Sequence, residues 1–477
     1  MTLYRGEDGF FYDGTRRYKD FIETINKITF YEKNAVIYDA ILNNSFLDYY
    51  FAFKSLGFEY TDDLTIKSRD KSFSYIVSIG GDTLSFLVKI EKGNWLKIYN
   101  ANLMFDNLQG RDFLQAVNAL KQLGGKGGTL ASYSLSIFKG MTKNYEFIFC
   151  QDKYSDFVRS SYRGGFNYIN PRYQDKEIGE MWIYDVNSLY PYIFAFYPMP
   201  YGYGKHGDGT PTEDIREKAR KKEIIYFIRF LCSFSIKEGH IPFVCPSVAG
   251  KYSKNKICET TAGENVIMTM TNTEFSFFQE QYNVYNLVIL DYVYYMAKIG
   301  VGRPYVEKFY KLKENAEGAE REAYKGMLNY LTGNFAKKTD RKNLKYNEKK
   351  KSWEIIERQI KEKVAVQVGC AITSYARVRT VWHAQLNYEN WVYSDTDSIH
   401  LLKPATGIIK DEKKIGCYKL DKVDGGYYHK LKWYGSRIGD KPKLTLAGVP
   451  TDICESIEEE YTGDTLESIF ERLEGVR

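Results

Sequence analysis

Tyr393-Ser394-Asp395-Thr396-Asp397-Ser398 lies between two short apolar runs, Trp391-Val392 before it and residues 399–402 after it. That pattern fits two short strands joined by a tight turn, with carboxylates at the tip. In an extended stretch Asp395 and Asp397 project to the same side. Two like charges that close are costly unless a cation lies between them. An all-oxygen pair suits a hard divalent ion, most naturally Mg2+. Alone, such a turn is also a common solvated surface feature.

A second acidic element narrows the reading. Residues 180–186 (Glu-Met-Trp-Ile-Tyr-Asp-Val) form a strand-like run ending in Asp185, and Asn187-Ser188-Leu189-Tyr190-Pro191 turns the chain. An isolated strand-end Asp usually caps a turn, but beside the hairpin tip Asp185 completes a two-metal site. In such a site one ion activates an attacking oxygen while the other steadies the leaving one. A third element is cationic. Residues 304–314 read as a helix opened by Pro304, with Lys313 near its end, and a second helix spans about 319–336. There Arg321, Lys325, Asn329 and Thr332 recur at spacings that share one face. Alone this is a solvated charged face; beside the acids it suits a triphosphate, whose departing pyrophosphate gathers negative charge.

In order, these elements resemble motifs A, B and C of family-B DNA polymerases, and within that family the protein-primed branch of small linear-genome phages. Residues 185–191 resemble motif A, 325–333 motif B and 393–398 motif C. Tyr162-Arg163-Gly164-Gly165 resembles the Tyr-x-Gly-Gly element, and Lys432-Trp433-Tyr434 the Lys-x-Tyr element. The likeness covers residues 129–450 well and the N-terminal part loosely.

The resemblance implies roles residue by residue. Asp185 and Asp397 hold the metals, with the Val186 carbonyl as a further ligand and Asp395 assisting. Tyr190 fills the space of a ribose 2′-hydroxyl. Lys313, Arg321, Lys325 and Asn329 serve the nucleotide, while Tyr162, Gly164, Gly165, Lys430, Lys432 and Tyr434 serve DNA. On one strand Lys430, Lys432 and Tyr434 would share a side, a phosphate-tracking geometry; an edge strand guarded by lysines reads alike. The glycine pair, usually just a turn, lets a main chain approach a phosphate strand closely.

Two departures stand out. Motif B of the family reads Asn-Ser-x-Tyr-Gly, whereas this chain has Asn329-Tyr330-Leu331-Thr332-Gly333. Thr332 offers no ring to the nascent base pair, so a looser pocket is expected, with Thr332→Tyr narrowing the misinsertion spectrum. The family's proofreading nuclease needs an Asp-x-Glu pair, and none precedes Tyr162. Residues 37–60 resemble its second motif with Ser45 in place of the Asp and Asp48 nearby; Asp112 matches a third-motif Asp, but Leu108 stands where a Tyr is required. Without its carboxylates a two-metal nuclease cannot hold its ions, and Asp48 and Asp112 read as ordinary surface or capping acids.

The expected fold is therefore α+β, a right-hand polymerase with palm, fingers and thumb behind a shortened exonuclease-like domain. The expected divisions are residues 1–128, exonuclease-like and inactive; 129–197, palm with motif A; and 198–300, an insertion docking a priming protein. Residues 301–336 are the fingers with motif B, and 337–366 a basic hairpin that supports strand displacement or a solvated loop. Residues 367–446 are palm with motif C, and 447–477 a small thumb. The expected activity is template-directed deoxynucleotide addition to a 3′-hydroxyl, protein-primed and without proofreading. It uses two Mg2+ ions, for which Mn2+ can substitute. The partners are primer-template DNA, deoxynucleoside triphosphates and a terminal priming protein. One alternative is a non-catalytic DNA-binding replication factor, against which the full acid set argues; another is RNA synthesis, disfavoured by Tyr190.

Composition sets outer bounds. With 477 residues the chain can build several subdomains, and at net charge +6 nucleic acid must be held in local channels. The 42 Tyr and 29 Phe suit base stacking but mostly serve cores. The 7 Cys include no Cys-x-x-Cys pair and the 5 His no metal spacing, which fits a reducing cytoplasm rather than a zinc site. A signal peptide and a membrane-length apolar run are lacking, so no membrane role is expected.

Overall fold

The apolar run that ends in Asp185 forms the strand Met181–Val186 in the computed structural model of the chain, and the acidic hairpin forms Trp391–Asp395 and Ser398–Leu401. The structure describes residues 2–13, 17–19, 35–42, 48, 49, 51, 52, 58–60, 66–68, 73–80, 83–90, 95–101, 104, 105, 108–142, 153–246, 256–337, 339–347, 349–361, 365–449 and 451–475. Ser45, singled out above, lies outside them. The chain divides into two units: Met1–Gln151 with Pro304–Val364, and Asp152–Arg303 with Ala365–Arg477.

In the second unit a five-stranded sheet runs in the order Asn167–Ile169, Trp391–Asp395, Ser398–Leu401, Met181–Val186, Tyr418–Val423. Every neighbouring pair is antiparallel. The helix Val366–Gln385 packs against it and is buried nearly all round, as its run of Gly, Ala, Cys, Ser and Thr allows. Its one deeply buried cation, Arg377, is paired in two-pronged fashion with buried Glu274 (Nε–Oε1 and Nη2–Oε2, both 2.8 Å). Residues 198–300 build a separate four-stranded antiparallel sheet, Pro198–Asp208, Tyr282–Ile299, Ile224–Ile236, Val266–Thr271, flanked by Glu213–Arg220 and Asn272–Gln281.

The C-terminal region differs from the expected division at 446/447. The strands Gly425–Lys430, Trp433–Ile438 and Lys441–Leu446 form their own sheet and share a core with the helices Thr451–Glu460 and Leu466–Gly475. Tyr427, Leu444 and Leu446 from the strands meet Cys454, Leu466, Ile469 and Phe470 from the helices. Two short amphipathic helices cannot bury their apolar stripes alone, so they take the adjoining strands with them.

In the first unit a nine-stranded sheet has Thr2–Arg5, Ala35–Asp39 and Trp95–Asn100 as parallel neighbours. The hairpin Thr339–Asn347 and Ser352–Lys361 extends this sheet by pairing with Phe73–Gly80. Its second strand ends at Lys361, and Val366, expected to be extended, is helical. The cationic segment forms the helices Arg303–Glu314 and Gly318–Asn334. The helix Leu130–Met141, expected to begin the palm, packs on Gly318–Asn334 instead. Phe138 meets the rings of Tyr305 and Phe335, and Asn334 donates to the Ala131 carbonyl. Its buried Leu130, Tyr133, Ile137 and Phe138 make that choice, and the unit boundary falls after residue 151 rather than 128.

Candidate active site

Strand register gathers the acids. Asp395 stands opposite Ser398 in the hairpin, Ser398 opposite Asp185, and Asp185 opposite Lys419. Directly opposed residues point to the same face, so Asp395, Ser398, Asp185 and Lys419 form one row across four strands. Asp397 is not part of an extended run with Asp395, as the sequence reading had it. It sits in a two-residue turn with Thr396 in the left-handed region (φ +57°). Its carbonyl accepts from the Val186 amide at 2.9 Å, which fastens the tip beside the strand end.

The charges in this row strain one another. Asp397 is pushed up to about 7, first by burial and then by Asp185 and Asp395. Asp185 is also raised by burial; Lys419 opposes the rise, and Asp421 and Asp395 add to it. Asp395 is occupied: Lys432 Nζ lies 2.6 Å from Oδ1, Thr396 Oγ1 donates to the same oxygen at 3.1 Å, and Tyr393 reaches Oδ2 at 3.4 Å. Among the described residues no three Asp, Glu, His or Cys side chains converge as a ready-made cage. The donor set is two mutually repelling carboxylates, Asp185 and Asp397, beside main-chain oxygen. Hard oxygens that, among the described residues, share only the Lys419 ammonium as a counter-charge fit a divalent cation of the Mg2+ class.

A turn and a helix complete this edge. Ser188 takes the left-handed region (φ +54°), which swings the chain from Met181–Val186 into the helix Leu189–Phe196 with Pro191 in its first turn. Asn187 Nδ2 donates to the carbonyls of Asp411, Glu412 and Lys414 at 2.9, 3.2 and 3.3 Å, tying the loop before Lys419 to the acidic strand. Tyr190 is half-buried; burial raises its phenol, Arg377 opposes, and Asp397 is close enough to add to the rise. Tyr162 is half-buried nearby and also raised by burial. Arg377 Nη1 donates to the carbonyls of Arg163 and Gly164 at 2.6 and 3.0 Å. Gly165 backs directly onto Thr396, whereas Gly164 is exposed.

Three expected positions read differently in the structure. Lys430, Lys432 and Tyr434 do not share one strand. Leu431 and Lys432 form the turn between Gly425–Lys430 and Trp433–Ile438, with Lys432 left-handed (φ +59°). Lys430 lies over the Trp433 ring at 4.6 Å, Lys432 reaches Asp395, and Tyr434 packs on Tyr393, Tyr428 and His400 with centroids at 5.1, 5.4 and 5.5 Å. The sequence missed this because alternation holds only while the chain stays extended.

Within the other unit Arg321, Lys325 and Asn329 are exposed along Gly318–Asn334. Arg321 Nη1 donates to the Lys313 carbonyl at 3.3 Å. The Lys313 ammonium lies 4.2 Å from the Tyr310 ring; burial lowers its pKa, and Arg321 and Lys325 push the same way. Thr332 does not join that face. It is buried, with Oγ1 donating to the Asn329 carbonyl at 2.9 Å, so a Tyr at 332 would be forced into the core rather than offered to a base pair. The exposed aromatic of this segment is Tyr330, 41% accessible.

At one edge of the N-terminal sheet a cation sits among acids. Arg5, Asp39 and Asn100 stand in register at the ends of three parallel strands, the edge at which open sheets place their ligands. Arg5 Nη1 lies 3.4 Å from buried Asp39 and Nη2 3.4 Å from Asp48, whose side chain is 67% exposed. Tyr49 and the Ile41 amide also donate to Asp39, at 2.7 and 2.8 Å. Asp112 is exposed in the first turn of Gly110–Gln122.

A strand-end acid beside an acidic hairpin tip is an arrangement that can hold divalent ions, and the same chain carries a pair of cationic helices. The profile of "DNA polymerase type B, organellar and viral" matches residues 126–413, and the chain belongs to that family. The DNA polymerase of Bacillus phage Nf is 33% identical over 268 residues, covering 55% of this chain and 46% of that protein. The DNA polymerase of Bacillus phage phi29 is 32% identical over 269 residues, with the same shares. The chain thus spans about half the length of these curated relatives. In structure, phi29 DNA polymerase complexed with primer-template DNA and incoming nucleotide superposes with a TM-score of 0.78 at 23% identity, over 95% of this chain and 91% of that one. The fold is that of a right-hand α+β polymerase with an exonuclease-like N-terminal domain, as the sequence reading expected. Among the described residues no helix is long and apolar enough to cross a membrane.

Proposed function

We propose that this chain is a template-directed DNA polymerase that adds deoxynucleotides to a 3′-hydroxyl and releases pyrophosphate. The observation that carries the reading is the register that puts Asp395, Asp185 and the Asp397 turn on one edge of the sheet. Asp185, Asp397 and the Val186 carbonyl would hold two Mg2+ ions, or Mn2+ in their place. Bound there, such ions activate the attacking oxygen and stabilise the leaving one during in-line displacement. Asp395, engaged by Lys432, Thr396 and Tyr393, steadies the hairpin rather than binding an ion.

The remaining roles follow from chemistry and family membership. Lys313, Arg321 and Lys325, a cluster of mutually repelling cations, take the triphosphate with Asn329 beside them. Tyr190 selects deoxyribose by filling the space of a 2′-hydroxyl. Exposed Gly164 leaves room for a phosphate strand, with Tyr162 and Gly165 shaping the loop; Lys430, Lys432 and Tyr434 serve the primer after Lys432 leaves Asp395. The five-stranded sheet is the palm and the two cationic helices are the fingers. The C-terminal sheet and helices are the thumb, the 198–300 sheet docks a priming protein that supplies the first hydroxyl, and the 339–361 hairpin tracks DNA. The N-terminal domain does not proofread: it has no Asp-x-Glu pair, and the acid on its strand edge, Asp39, is engaged by Arg5. Primer extension on a primed template tests the reading. Incorporation with deoxynucleotides, little with ribonucleotides, and a loss of roughly three orders of magnitude in Asp397→Asn is the expected pattern. Extension by Asp397→Asn at the parental rate would refute it.

A further inference from the structure

The ladder between Met181–Val186 and Tyr418–Val423 puts Lys419 directly opposite Asp185, with Nζ 3.0 Å from Oδ2. Asp185 is 31% accessible and Lys419 40%, so the amine closes one side of the acidic row while its stem still borders solvent. Lys432 does the same for Asp395 at the far end of the row. Asp397, between them, has no Lys or Arg within ion-pair distance among the described residues. The site thus already holds two cations, each on the flanking carboxylate, and the Asn187 side chain fixes the loop that leads into Lys419.

We infer that Lys419 is a positioning residue that acts as the resident counter-ion of Asp185. It holds the carboxylate on the site face while no metal is bound, and it competes with the divalent ion for the same oxygens. Uptake of an ion is then an exchange in which the ammonium leaves Oδ2 and swings toward solvent. With both acids ionised, two carboxylates and one ammonium leave one negative charge, whereas two carboxylates with the first divalent ion in the ammonium's place leave none. Lys419 therefore weakens metal binding and tunes how much metal the enzyme needs. This inference rests on Asp185 and Asp397 being the metal-holding pair.

Mn2+ uptake by the intact chain, without DNA or nucleotide and followed by the electron paramagnetic resonance of free Mn2+, tests it. Lys419→Met is expected to lower the half-saturating Mn2+ concentration about threefold to tenfold, the scale of a removed partly exposed charge pair. Lys419→Arg, which keeps the charge, should stay at the parental value. Lys419→Gln serves if the Met variant does not fold, and melting in the absence of Mn2+ checks folding. An unchanged or weakened affinity in folded Lys419→Met or Lys419→Gln overturns the inference while leaving the site reading intact. Binding by Asp397→Asn as tight as the parent's overturns the site reading and this inference together.

Discussion

A methyl group added at Gly165 would lie 2.6 Å from Thr396 Oγ1 and 2.9 Å from its Cβ, whereas one added at Gly164 meets nothing within 4 Å. The two neighbours thus separate a structural demand from a binding one. Thr396 cannot step aside as a flexible side chain would: it is left-handed, its amide donates to the Phe166 carbonyl at 2.7 Å, and its own carbonyl accepts from Thr380 at 2.9 Å. Gly165→Ala must therefore push the hairpin tip that carries Asp397. It is expected to lower stability by roughly 1–3 kcal/mol and polymerisation with it, read by thermal melting and primer extension. Gly164→Ala should melt like the parent, so a weaker grip on primer-template DNA in a binding titration would report the strand contact alone. Equal melting of the two variants would contradict this division. From the sequence both glycines looked like room for a phosphate strand, because Thr396, some 230 residues downstream, gives no local sign of packing there.

At the scale of elements, the C-terminal helices and the strands before them stand or fall together. Leu466 is fully buried among Tyr427, Leu444, Ile469 and Phe470. Leu466→Ala is expected to cost about 2–5 kcal/mol within that subdomain. Limited proteolysis should show it as faster cleavage across residues 425–475, with residues 167–401 of the central sheet protected as in the parent; parental resistance throughout would disprove the shared core. The hairpin tip, the strand ending at Asp185 and the two cationic helices were legible in the sequence because each is written in a local period or turn. Pairings between distant segments were not. Nothing local tells Thr339–Asn347 to join Phe73–Gly80, or sets Lys419 opposite Asp185, because register across separate strands depends on the whole sheet. Lys432 shows the converse: its alternation with Lys430 and Tyr434 was visible, but the turn that cancels it was not.

Over the whole molecule, acid stability is a contest between buried histidines and the acidic site. His400 is buried beside Ser398 and Tyr428 and held down to about 3; His383, hydrogen-bonded to Tyr418, is held down to about 4, in both cases by burial. Each titrates near 6.5 when unfolded, so between that value and its folded value the unfolded chain binds the extra proton. Their stabilisation is complete above about pH 6.5 and is lost as pH falls. Asp397 acts in the opposite sense. Raised from 3.8 to about 7, it stabilises the fold at low pH and loses that contribution as pH rises through 7. From pH 7 to 5 each histidine withdraws roughly 2 kcal/mol while Asp397 returns about the same amount once, so the balance falls. Melting temperature without divalent ions is therefore expected to drop on acidification from pH 7 to 5. Asp397→Asn, which removes the opposing contribution but keeps both histidines, should drop more steeply than the parent. An acid profile in Asp397→Asn no steeper than the parent's would mean that Asp397 is already ionised at pH 5, and that the acids at this edge do not strain one another.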